Sequence, residues 1–148
     1  MNRLLPLAAA ALLAAGALQP AAARDCALVV RDGWLRMPPV AMPMLAGFGT
    51  IENPCRKPAA IVAAESDAFG DVSLHETRTI DGVSRMRAMP RLAVEAGGKA
   101  TLRPGGLHLM LMQPRGELNA GDAVVVRFRL EDGREVSGRF TVRPVAAR

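Results

Sequence analysis

Apolar and polar positions alternate with a period of two along most of the chain, in short runs punctuated by Pro, Gly and Asp. CALVVRDGWLRM, MLAGFGTIEN, AAIVAAES, DVSLHETR, LHLMLM, DAVVVRFRL and REVSGRFTVR all have this character. Successive side chains of a strand leave opposite faces, so such alternation predicts strands with one buried face. No window shows a 3.6-residue period. The pattern predicts an all-β domain, an antiparallel Greek-key β-sandwich or barrel.

The stretch from Leu74 to Met112 departs from ordinary patterning in what occupies its non-core positions. In GLHLMLM the alternation turns Leu107, Leu109 and Leu111 toward the core and His108, Met110 and Met112 away from it. In VSLHETR it sets Val72 and Leu74 against Ser73, His75 and Thr77. Asp81-Gly82 is a hairpin turn signal, and VSRMRAM after it is a further short strand carrying Met86. Three neighbouring strands would then present His75, Met86, His108 and Met110 on one exposed rim.

Imidazole and thioether together form a metal-ligand set. Hard cations such as Ca²⁺ and Mg²⁺ take oxygen, whereas thioether sulfur is a soft, uncharged donor that needs no deprotonation. Zinc sites use Cys, His and carboxylate and make little use of methionine. Two nitrogens and two sulfurs therefore predict Cu(I), one ion per chain. Met89 and Met112 are candidate substitute ligands. Met37, Met42 and Met44, in the turn-rich RMPPVAMPMLAG segment, are read first as apolar packing at a barrel end and second as extra thioethers beside the site.

His75, ten residues, Met86, twenty-one residues, His108, one residue and Met110 reproduce the hallmark spacing of the periplasmic copper chaperones called PCu(A)C. The words LHETRTIDGVSRMR, EAGGKATLRPGGLHLMLM and MLAGFGTIENP also resemble that family, over most of the chain that follows the N-terminal segment. The resemblance implies a cupredoxin-like β-barrel that carries Cu(I) and helps to metallate the copper centres of cytochrome c oxidase. A membrane-bound oxidase, or another copper-assembly protein, is then the expected acceptor. Some relatives carry a His/Met-rich C-terminal tail; this chain ends RPVAAR.

The remaining features set the context. Arg3, the uncharged Ala/Leu-rich run from Leu4 to Leu18 and the small residues Ala21-Ala22-Ala23 read as an export signal over residues 1–23, cleaved after Ala23. Residues 24–148 then form one periplasmic domain of about 125 residues, expected to be a monomer. A lipoprotein anchor is not expected, because Cys26 follows Arg24-Asp25. The even pair Cys26 and Cys55, in an oxidising compartment, predicts a disulfide; free copper-binding thiols are the alternative.

The net charge of +5 comes mainly from scattered arginines. Few aromatics accompany them, so nucleic acid is not an expected partner. The scattered arginines read first as a solvated surface; the second reading is that Arg85, Arg87, Arg103 and Arg115, flanking the His/Met stretch, orient it toward an acidic acceptor or an anionic membrane. Neither a nucleophile elbow nor a phosphate-binding glycine loop is present, and catalysis is not expected. The competing function on the same fold is an electron-transfer cupredoxin, which needs a Cys thiolate beside two His and an axial Met.

Overall fold

The computed structural model describes residues 26–144. The export signal read over residues 1–23 lies outside them. Ten strands follow in order: β1 Val29–Arg36, β2 Met44–Glu52, β3 Ala59–Glu65, β4 Phe69–Ile80, β5 Val83–Ala88, β6 Leu92–Val94, β7 Lys99–Leu102, β8 Leu107–Pro114, β9 Ala123–Leu130 and β10 Glu135–Arg143. Hydrogen bonding runs β5-β4-β8-β2-β1-β10-β9-β3-β6, with β7 also on β2, and a β3–β4 contact at Ala64 and Val72 closes the sheet into a barrel. Among the described residues there is no helix. The all-β prediction therefore holds.

The expectation of purely antiparallel pairing is corrected at one place: β1 and β10 run parallel, with Trp34 opposite Thr141 and Arg36 opposite Arg143. Parallel neighbours need a long crossover. Here almost the entire domain lies between them, since they are the first and last strands.

One core fills the barrel. β10 shows the pattern most plainly, with Val136, Phe140 and Val142 buried and Glu135, Ser137, Arg139 and Thr141 exposed between them. Val72 and Leu74 of β4 and Leu109 and Leu111 of β8 enter the same core. Each fully buried aliphatic side chain contributes about 1.5–3 kcal/mol relative to an exposed one. The inner face of the β4–β8 pair thereby fixes the register that sets what stands on its outer face.

Cys26 and Cys55 are joined in a disulfide, as the even count predicted. It ties the residues before β1 to the turn after β2. Buried Asn53 holds that turn: its side-chain amide donates to the carbonyls of Lys57 and Val94, and its oxygen accepts the Cys55 N–H. No helix among the described residues is long and apolar enough to cross a membrane.

Candidate metal centre

Register decides which side chains share a face, because directly opposite residues in an antiparallel pair point the same way. His75 of β4 lies opposite His108 of β8, and Ser73 lies opposite Met110. On the other side of β4, Thr77 lies opposite Met86 of β5. Since Ser73, His75 and Thr77 are spaced two apart, His75, Met86, His108 and Met110 all stand on the outer face. The β4–β5 turn that brings Met86 there is Asp81-Gly82, both with positive φ (51° and 76°), as a two-residue hairpin requires.

The imidazole rings of His75 and His108 stand 6.0 Å apart between centroids, inclined by 31°. His108 Nδ1 lies 2.9 Å from the Gly106 carbonyl oxygen, which can only accept, so this nitrogen carries the proton and Nε2 keeps its lone pair. His75 Nε2 lies 3.1 Å from the Ser73 hydroxyl. Its Nδ1 is out of reach of water and has no hydrogen-bond partner. An orphaned ring nitrogen on an outer face is the atom a soft metal would take, and the hydroxyl fixes the ring from the other side.

Burial pushes the His75 imidazole below the ordinary 6.5; the like charge of His108 adds to this and Asp71 opposes it. The neutral, metal-competent form of His75 therefore persists below the usual imidazole range.

The four residues differ in access. His108 is only 8% exposed, whereas Met86 is 54% exposed. An exposed rim holds for Met86 and not for His108. A shallow recess of about 220 Å³ is lined by Met86, His108 and Met110 and also by Arg36, Met44 and Phe48. His75 is not among the residues that line it, and its Nδ1 is buried. Arg36, whose guanidinium lies 5.1 Å over the Phe48 ring, was not anticipated. Its only local signal is its outward parity on β1.

The other methionines divide. Met37 and Met89 pack against the core, so Met89 is withdrawn from the substitute ligands. Met112 stays on the outer face and is 37% exposed. Met44 lies directly opposite it. Of the flanking arginines, Arg87 is held by Glu76 at 2.7 Å, and Glu76 also pairs with Arg78 at 2.9 Å. Those hydrogen bonds hold the Glu76 carboxyl below the usual carboxylate range.

A family model described as putative lipoprotein LpqE-like matches residues 28–142. The chain belongs to the LpqE-like family. A putative lipoprotein of Leifsonia xyli is 38% identical over 91 residues, which are 61% of this chain and 55% of that protein. A protein of Rickettsia prowazekii is 30% identical over 91 residues, 61% of this chain and 50% of its own length. The match thus spans about half the length of these curated relatives.

Among solved structures, the Cu(I) form of DR1885 from Deinococcus radiodurans aligns with a TM-score of 0.65 at 26% identity, covering 88% of this chain and 87% of that one. The copper-bound PCuAC domain from PmoF2 aligns with a TM-score of 0.63 at 19% identity, covering 79% and 92%, and supports the fold alone. The resemblance to PCu(A)C domains drawn from the ligand spacing is borne out by these neighbours.

Cys26 bears on the lipoprotein description. Its sulfur is bonded to Cys55, so in this form it carries no lipid.

Proposed function

We propose that this protein is a periplasmic carrier that binds Cu(I) through His75, Met86, His108 and Met110 and passes it on by ligand exchange. The observation that carries the reading is the β5-β4-β8 register, which sets two imidazoles and two thioethers on one outer face. The unpartnered Nδ1 of His75 adds a nitrogen with nothing else to bind. Copper is cargo here. Thioethers hold Cu(I) without the grip of thiolates, and exposed Met86 gives an incoming partner a donor to displace.

The electron-transfer alternative needs a thiolate. Both cysteines are consumed in the disulfide, which favours the carrier. Delivery to the copper centres of a cytochrome c oxidase, directly or through another assembly protein, is the proposed destination by analogy with the resembled family. Export to the periplasm accords with the N-terminal segment and with the lipoprotein descriptions of the family and the Leifsonia relative.

Titration of the copper-free protein with Cu(I) under reducing conditions that leave the disulfide intact, against a competing chelator, tests this reading. A high-affinity equivalent lost on substitution of His108 supports it. Absence of Cu(I) binding, or an intensely coloured Cu(II)-thiolate complex, would refute it.

A further inference from the structure

One row along the same outer face stand three side chains that the four-residue site does not use. Met44 of β2 lies directly opposite Met112 of β8, and Met112 lies directly opposite Asp71 of β4. The Cβ atoms of directly opposed residues are about 5 Å apart. Methionine has three rotatable bonds beyond the backbone, so two opposed thioethers readily turn their sulfurs onto one ion.

Packing does not account for this pair. Neither Met44 nor Met112 belongs to the core, and Met112 is 37% exposed. Asp71 is exposed, and among the described residues no arginine, lysine or histidine bridges its carboxylate. It accepts a hydrogen bond from the Ser73 hydroxyl at 3.5 Å. Two soft neutral donors and one carboxylate outside any ion pair suit a soft monovalent cation. Hard divalent ions would require more oxygen.

We propose that Met44, Met112 and Asp71 form a second, weaker position for Cu(I), beside the first and in exchange with it through Met110. Met110 is two residues from Met112 on the same strand face, roughly 7 Å away, and Met44 lines the recess that holds Met110 and His108. The ion moves by replacing one thioether with another and remains Cu(I) throughout. Affinity is lower than at the first site because no imidazole takes part. This rests on the copper reading above and adds a second equivalent to the single one predicted from the four ligands.

The test is a titration of the copper-free, disulfide-intact protein, labelled with ¹³C at the methionine methyls, using Ag(I) as a redox-inert substitute for Cu(I). The first equivalent should shift the Met86 and Met110 methyls and the second those of Met44 and Met112, with Met37 and Met89 unmoved. The double variant Met44→Leu, Met112→Leu conserves volume and should lose the second phase while keeping the first. Asp71→Asn should weaken the second phase about fivefold, the effect of one exposed charge.

Met44 and Met112 methyls that stay still through two equivalents would overturn the proposal. So would movement of those methyls entirely within the first equivalent. Silence of Met86 and Met110 would instead contradict the four-residue site, while the Met44 and Met112 signals still decide the second.

Discussion

The outer faces of β8 and β10 belong to the same barrel and obey the same alternation, yet they are filled by different chemistry. β10 turns Glu135, Ser137, Arg139 and Thr141 to water, all exposed. β8 turns out His108, Met110 and Met112, of which the first is buried and only the last is exposed. Charged side chains between buried ones are what a soluble strand needs. Soft donors in the same positions add nothing to solubility, and a histidine buried on an outward face has to be covered by neighbouring loops. The proposed copper site therefore lies where the outward positions break the rule that the inward positions keep.

That contrast is broken most strongly from the inside. Leu109, fully buried between His108 and Met110, should cost about 2–5 kcal/mol of stability as Leu109→Ala. The Cu(I) affinity of the fraction that remains folded should change little. Ser137→Ala on the outer face of β10 should stay within about 0.5 kcal/mol. Chemical denaturation beside chelator competition would separate the two readouts.

Loss of the disulfide comes next. Cys26→Ser with Cys55→Ser removes a cross-link spanning a separation of 29 residues and should lower stability by roughly 3–4 kcal/mol on the loop-entropy model. Cu(I) affinity should be retained at temperatures where the variant stays folded. Loss of the copper site in folded variant protein would show that a cysteine takes part in it.

The strand alternation, the Asp81-Gly82 hairpin and the outward turn of His108, Met110 and Met112 were legible in the sequence because each is a local property, set within a few residues. The parallel β1–β10 pairing was not, since alternation carries no direction and the two strands are the first and last of the barrel. For the same reason the sequence did not bring Arg36 to the site, and it offered Met44 only as a second reading: their place depends on β2 lying beside β8 and β1 beside β2. Naming Met89 a substitute ligand disregards parity: it is three residues from Met86, so alternation turns it to the opposite side, where it packs against the core. The burial of His108 on an outward position is a property of the folded barrel, which no periodicity encodes.

Smaller effects sharpen the difference between the two opposed histidines. Ser73→Ala removes the hydroxyl at His75 Nε2 and should weaken Cu(I) binding about tenfold, the lower end for an outer-sphere partner of a ligating histidine. The fold should be undisturbed. In copper-free protein the folded state keeps His75 neutral below 6.5, so the unfolded chain binds more protons as pH falls. The contribution of this group is present in full above the unfolded value near 6.5 and is lost as pH falls through the lower folded value. His75→Gln should flatten that part of the stability profile, as measured by thermal unfolding between about pH 4 and 8.

The central claim is that the imidazoles carry Cu(I) and the thioethers complete the site, and chelator competition on His108→Ala, Met110→Ala and Met86→Ala between about pH 5 and 8 tests it most directly. His108→Ala should weaken binding most, by more than the roughly 10–100-fold typical of an outer-sphere partner. Met110→Ala should be intermediate, because Met112 points the same way, and Met86→Ala the mildest. Affinity should fall at the acidic end as protons compete for the imidazoles. If Met86→Ala abolished binding while His108→Ala kept the affinity and pH dependence of the unaltered protein, the account of this site would be contradicted.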